Sequence, residues 1–193
     1  MAKKMMGVLL VVLMVAGVAF AAVTTTVSDA KMQLQATVAA LEAHKLTATD
    51  ILNGKSTDAD KVTAFDQATE IVATSPVTVT LTNAAGNQTV AYYNYKSNSK
   101  YSIAVKLQVA ALKNKDNNYI NYTIGNGTTT VVTNNDTSVE FADFLTATRT
   151  SASLATVYSS PVVFSMTAAQ ETAKNAVPAG DYLADLTFVV TTN

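Results

Sequence analysis

Strict alternation of apolar and polar residues dominates the chain after residue 75. In PVTVTLTN, Val77, Val79 and Leu81 fall on one face and threonines on the other. In YSIAVKLQVA, at 101–110, nearly every second residue is large and apolar or aromatic. A period of two residues predicts β-strands with one buried face.

Further short strands are predicted between clusters of turn-forming residues. The candidates are 88–95, 118–124, 128–133, 137–141, 154–158, 161–166 and 181–190. Gly86, GNG at 125–127 and PAG at 178–180 supply turn chemistry between them. Many short strands at this spacing predict an all-β sandwich or barrel.

The pattern between residues 30 and 74 is mixed. Residues 30–42 are rich in alanine and fit a helix and a strand equally well, and a further strand fits 44–51. A short helix is predicted near 58–69, with Thr57 or Asp58 as its N-cap.

The first residues have the layout of a secretion signal. Lys3 and Lys4 are followed by an apolar stretch at 8–18 and by AFA at 19–21, which predicts a signal peptide over 1–21 and cleavage before Ala22. The apolar stretch is shorter than the ~20 residues that span a bilayer. The processed protein is therefore expected outside the cell and without a membrane anchor.

A second interpretation of the leader stays open. The residues KKMMG at 3–7 resemble the leader of type IV pilins, which are cut after a glycine and keep the apolar helix. Val12 stands where bacterial members carry Glu, and the β-branched run 23–27 would interrupt that helix. The ordinary signal peptide is favoured.

Composition limits the partners. The 193 residues include no Cys, a single Arg (Arg149) and only 14% charged residues, with a formal net charge of −1. This leaves no basic surface for nucleic acid or anionic lipid, and nothing to form a disulfide. Thr is unusually frequent, with 29 residues, which favours strands.

Catalytic equipment is sparse. His44 is the only histidine, so a serine-type triad or a zinc site lacks its usual residues, and we expect His44 to be exposed or half-buried. No phosphate-binding glycine loop is present. The remaining carboxylates have no spacing that favours a catalytic pair: Glu140, Asp143, Asp181 and Asp185. The sequence predicts a protein that is not an enzyme and uses no cofactor or metal.

Three weaker patterns bear on binding. Residues 56–60 with Asp66 offer oxygen ligands for calcium, but a capped helix start is favoured. A tyrosine cluster could stack on sugars or on a neighbouring subunit, although a structural role is favoured: Tyr92, Tyr93, Tyr95 and Tyr101. Four N-x-S/T sequons make surface glycans a candidate modification: Asn87, Asn121, Asn126 and Asn135.

The stretch VTTTV at 23–27 predicts a strand with no local partner. An isolated terminal strand would fray in a monomer. It could instead complete a sheet in the next molecule, and head-to-tail addition of this kind builds fibres.

Two segments resemble known surface proteins. VPAGDYLADLTFVV at 177–190 resembles the last strand of fimbrial subunits and of spore-coat-protein-U-like domains, and YKSNSKYSIAV at 95–105 is similar to a turn and strand of the same immunoglobulin-like proteins. Their usual disulfide is absent here. The chain thus resembles archaeal bundling pili and TasA-like biofilm fibre proteins more closely. The resemblance implies a donor segment over 22–30, with Val23, Thr25 and Val27 filling an acceptor groove.

The sequence therefore predicts an all-β protein: an immunoglobulin-like β-sandwich over 31–193, preceded by an extended donor strand and including one or two short helices. The predicted function is that of a pilin-like subunit of an extracellular homopolymer, acting in adhesion or biofilm. Two alternatives remain. One is a type IV pilin with a retained N-terminal helix, and the other is a monomeric adhesin or carbohydrate-binding domain that uses the tyrosine cluster.

Overall fold

The described residues are predominantly antiparallel β-structure with two short α-helices, which confirms the predicted all-β class. The computed structural model describes residues 24–26, 29–31, 42–72, 77–98, 102–148 and 155–192. The chain divides into two units, 1–39 and 40–193.

The first unit contains a small hairpin. Strand β1 (Thr24–Thr26) pairs antiparallel with β2 (Asp29–Lys31), with Thr25 opposite Ala30. The sequence predicted no local partner for this strand. That expectation was wrong, since β2 is a local partner. The sequence did not reveal β2 because three residues are too few to show an alternating period.

The second unit is built on two main antiparallel sheets. The larger has the order β3-β4-β11-β8-β9 and the smaller the order β10-β5-β12, while β6 and β7 form a separate pair. The strands are β3 (Glu42–Thr47), β4 (Gln88–Ser97), β5 (Ser102–Val109), β6 (Leu112–Lys113), β7 (Tyr119–Ile120), β8 (Thr123–Gly125), β9 (Thr130–Val132), β10 (Val139–Thr148), β11 (Thr156–Ser165) and β12 (Leu186–Thr192).

The core is formed by side chains from both sheets. β5 is central in the smaller sheet, and its inward residues Ile103, Val105, Leu107 and Val109 are buried. Tyr93 of β4 stacks on Phe188 of β12 with ring centroids 4.5 Å apart. Burial at every second position follows from the alternation seen in the sequence.

Helix α1 (Asp58–Gln67) confirms the predicted short helix, with Thr57 as its N-cap. Thr57 accepts a hydrogen bond from the Asp60 N–H, as a cap should. The buried Phe65 anchors the helix. At the other end, Lys45 Nζ donates to the carbonyls of Phe65 at 2.6 Å and Ala68 at 3.3 Å, where the helix dipole favours a cation.

Helix α2 (Ala168–Lys174) was not predicted. It begins with a capping box: Thr167 Oγ1 accepts from the Gln170 N–H, and the Gln170 side chain accepts from the Thr167 N–H. The T-x-x-Q spacing is a known start signal. Sequence reasoning missed it because the helix is short and the neighbouring strand patterns are strong.

The strand predicted at PVTVTLTN is wrong. Residues 77–82 form no ladder, and a 3-10 helix follows at Asn83–Ala85. The Gln88 side-chain amide instead bonds both the N–H and the C=O of Thr80. Val79 and Leu81 nevertheless pack on the core. Alternation therefore identified the buried face but not the hydrogen-bond partner.

Other strand boundaries also differ from the predictions. The 118–124 stretch splits into β7 and β8. Between them, the backbone of Tyr122 bonds Thr133: its C=O accepts from the Thr133 N–H, and its N–H donates to the Thr133 hydroxyl. The stretches 154–158 and 161–166 join into β11 across Pro161. The last strand begins only at Leu186. Residues 32–41, where helix and strand were both open, lie outside the described part of the chain.

Candidate functional site

β12 is an edge strand of the smaller sheet. It pairs with β5 in a continuous register from Leu186 opposite Val109 to Thr192 opposite Ile103. Among residues 42–72, 77–98, 102–148 and 155–192, no strand pairs with its other side. Its backbone N–H and C=O groups on that side are available to another strand.

The core-facing side chains of β12 are incompletely covered. Leu186, Phe188 and Val190 point toward the core but are only half-buried, whereas the facing residues of β5 are at most 2% exposed. On the outer face Val189 is 39% exposed. Apolar surface remains open along this strand on both faces.

The other edge strands are protected in ways that β12 is not. β10 has a register shift between Phe141 and Leu145, and Glu140 and Asp143 add charge to it. Bulges and charges are the usual means of preventing unwanted strand pairing.

The edges of the larger sheet are also guarded. β3 contains Glu42 and Lys45, and the Ile71 N–H bonds the C=O of Leu46 on this strand. β9 has only three residues. The sequence LTFVVTT of β12 contains no charge, glycine or proline, so among the four edges of the two main sheets it is the one without these protections.

A hollow of about 230 Å³ lies where β12 begins. Its apolar wall includes Leu183, which is 64% exposed, and three alanines. The complete lining is Ala110, Ala111, Lys113, Tyr119, Asn135, Asp136, Leu183, Ala184 and Asp185. Two backbone hydrogen bonds between Lys113 and Leu183, at 2.9 and 3.0 Å, fix one side of it.

Charged groups surround the mouth of the hollow. Lys113 Nζ lies 3.8 Å from Asp136 Oδ1 and 5.3 Å from the centre of the Tyr119 ring. The Tyr119 hydroxyl donates to the same Asp136 oxygen at 2.8 Å. A hydrogen bond with Tyr119 raises the pKa of Lys113. Asp185 has no ion pair within the described residues.

The predicted donor residues are only partly described. Thr25 lies in β1, and its strand has one side paired with β2. Val23 and Val27 lie outside the described residues. The donor role of all three stays a prediction.

The side-chain nitrogens of the four sequon asparagines differ in whether they make a hydrogen bond. Asn121 Nδ2 donates to Asn135 Oδ1 at 2.9 Å, and Asn126 Nδ2 donates to the C=O of Phe144 at 2.9 Å. Asn87 and Asn135 are exposed, and their Nδ2 atoms make no hydrogen bond within the described chain. Glycosylation at any of them stays a prediction.

Two members of the tyrosine cluster lie in the core. Tyr93 and Tyr95 are each 2% exposed, so neither presents a face for a sugar. Burial raises the pKa of Tyr95 to about 12, with Glu42 adding to the effect. Tyr92 is half-buried, and Tyr101 lies outside the described residues. The favoured structural role is confirmed for the two buried members.

The remaining candidates have ordinary surroundings. His44 is exposed, as expected, and its Nδ1 lies 3.2 Å from the Tyr93 hydroxyl. In the candidate calcium loop, Asp60 accepts from Thr57 and Asp58 accepts from Thr156. No three metal-ligating side chains cluster within the described residues.

Sequence reasoning named the N-terminal segment and missed β12 itself as a site. A signal was present: Leu183 and Val189 are apolar at positions of the last alternating stretch that should face solvent.

Comparison with known proteins identifies no relative: no protein-family model, no curated protein and no solved structure matches the chain. Among the helices of the described residues, none is long and apolar enough to cross a membrane.

Proposed function

We propose that this protein is the structural subunit of an extracellular filament, in which each copy donates its N-terminal segment to a sheet of the next. The domain over 31–193 is then an immunoglobulin-like β-sandwich made of the two main sheets. The observation that carries the proposal is the edge strand β12. It pairs with β5 without a register shift, it contains no charged residue, and its core-facing side chains are only half-buried.

An added strand would satisfy β12 in two ways. Its backbone would bond the open N–H and C=O groups, and its apolar side chains would cover Leu186, Phe188 and Val190. A strand that buries apolar area gains roughly 25 cal/mol per Å². Both contributions favour an extended apolar segment over a globular partner.

The N-terminal segment has the required character. Residues 22–30 read AVTTTVSDA, with Val23, Thr25 and Val27 at every second position. β1 already has extended backbone and pairs with β2 on one side alone among the described residues. The segment would therefore be added as a hairpin, with β1 against β12 of the neighbour.

The geometry of exchange implies a polymer. The donor and acceptor surfaces are different parts of the chain, so each copy would be both donor and acceptor. Such head-to-tail contacts generate an open fibre unless rotation closes a ring. An adhesive or biofilm filament fits a chain that has a predicted secretion signal.

The test blocks the acceptor edge. Val189→Lys places a charge on β12, where we expect it to prevent strand addition and abolish filaments in electron micrographs of the secreted protein. Thr146→Lys is the matched control on the bulged edge β10 and should leave filaments intact. Circular dichroism would verify that both variants fold. Normal filaments from folded Val189→Lys protein would refute the proposal.

A further inference from the structure

The hollow beside Leu183 lies at the start of the edge strand β12. Leu183, Ala184 and Asp185 directly precede β12, and Ala110 and Ala111 directly follow β5. A strand added along β12 would therefore have one of its ends at this hollow. The other end would lie near Thr192.

The chemistry of the hollow suits a small apolar group next to a cation. Its wall is alanine and the exposed Leu183, which together accept a short aliphatic side chain. Its charged and titratable groups are Lys113, Tyr119, Asp136 and Asp185. Lys113 and Tyr119 both contact Asp136, so Asp185 is left as the unmatched charge.

The processed N-terminus carries such a pair of groups. Cleavage before Ala22 would create an α-ammonium one residue from the side chain of Val23. An α-amino group has a pKa of about 7.7–8.0, so it is mostly charged at pH 7. Capture of a terminal amine is a known mode of peptide recognition.

We propose that the hollow binds the N-terminus of a second copy, with the Ala22 α-ammonium against Asp185 and the Val23 side chain against Leu183 and the alanines. The inference rests on the proposed function and on the predicted cleavage site. The inference also fixes the direction of the donor strand. Residue 22 of the donor copy would lie at the start of β12 of the acceptor copy, so the donor strand would run parallel to β12.

Two synthetic peptides test the capture. Both have the sequence of residues 22–30, one with a free α-amine and one N-acetylated, and each is added to the processed full chain while polymerisation is followed by light scattering. We expect the free-amine peptide to inhibit at about tenfold lower concentration, because a charged hydrogen bond is lost on acetylation.

An acceptor variant locates the partner of the amine. Asp185→Asn should make the two peptides equally inhibitory. Asp181 is exposed and lies outside the hollow, so Asp181→Asn should still be inhibited more strongly by the free-amine peptide than by the acetylated one. Equal inhibition of the wild type by both peptides, or an unchanged preference in Asp185→Asn, would overturn the inference and leave the hollow to another occupant.

The outcomes also separate this inference from the proposed function. Suppose that Val189→Lys abolishes filaments, but the free-amine and acetylated peptides inhibit the wild type equally. This result would overturn only the capture of the N-terminus. A wild-type protein that forms no filaments would overturn both.

Discussion

At the scale of residues, asparagine side chains hold several loops of this protein in place. Asn126 lies between β8 and β9, where its Oδ1 accepts from the N–H groups of Thr128 and Thr129, and its Nδ2 donates to the C=O of Phe144. With the Thr129 hydroxyl, which also donates to Oδ1 at 3.3 Å, four hydrogen bonds of one half-buried side chain make this sequon a structural element. Asn87 makes none within the described chain.

Asn126→Ala should therefore lower the free energy of unfolding by about 1–3 kcal/mol, since the hydrogen bonds that hold this loop are lost and the part-buried Phe144 C=O loses its amide donor. Asn87→Ala should change it by less than about 0.5 kcal/mol, as is usual for exposed residues. Urea denaturation of both variants measures the difference. Equal stability would mean that water replaces the Asn126 contacts.

Glu171 links α2 to the turn before β4. Its carboxylate accepts from the Asn83 N–H at 2.9 Å and from the Thr82 hydroxyl at 2.8 Å. These two hydrogen bonds lower the pKa of Glu171, and the bond from the Asn83 N–H has the larger effect. A carboxylate with a lowered pKa stabilises the fold above its unfolded pKa, and this contribution is lost as the pH falls through the folded value.

Glu171→Gln should consequently lower Tm at pH 7, and the difference from the wild type should shrink as the pH is lowered through the range where Glu171 is protonated. Thermal unfolding at a series of pH values measures this. Glu70→Gln is a suitable control, because Glu70 is exposed and makes no hydrogen bond within the described chain. A pH-independent difference would contradict the electrostatic explanation.

At the scale of elements, the sequence predicted faces better than partners. Alternation in β5 and β12 identified strands whose burial follows the pattern, whereas β4 is buried on both faces from Tyr93 to Ser97. The same alternation failed at 77–82, where side chains reach the core but no neighbouring strand is in position. Side-chain period depends on local sequence, whereas a ladder depends on distant residues, which explains the difference.

Helix α2 allows a test of its own start signal. Thr167→Ala removes one half of the capping box and should cost about 1 kcal/mol of stability. Thr172→Ala, within the same helix, removes a hydroxyl that bonds the C=O of Ala168 and should cost less, because alanine favours the helix interior. Urea denaturation measures both. A larger loss from Thr172→Ala would show that the cap contributes little.

At the scale of the whole molecule, the proposed assembly joins a predicted segment to a surface that the sequence did not identify. The proposed donor role of 22–30 could be inferred from VTTTV and its position just after the leader. The acceptor could not, because the openness of β12 depends on which of the four edge strands receive bulges, charges or cover. Those features arise only when distant segments pair.

Deletion of residues 22–28 should abolish polymerisation and leave a folded monomer of lower stability, because the 40–193 unit contains the core. Electron microscopy and thermal unfolding of the truncated protein measure the two effects. Normal filaments from this variant would exclude strand donation by the N-terminus.

Pro161 lies within β11, the central strand of the larger sheet. It lies opposite Tyr92 and has no N–H to offer, and β8 pairs only with Val163, Phe164 and Ser165 beyond it. A foreign strand would thus find poor hydrogen bonding next to Pro161. In the proposed filament, β12 would be the one acceptor edge of each subunit, so growth would be linear and unbranched, and broken filaments would rejoin only end to end.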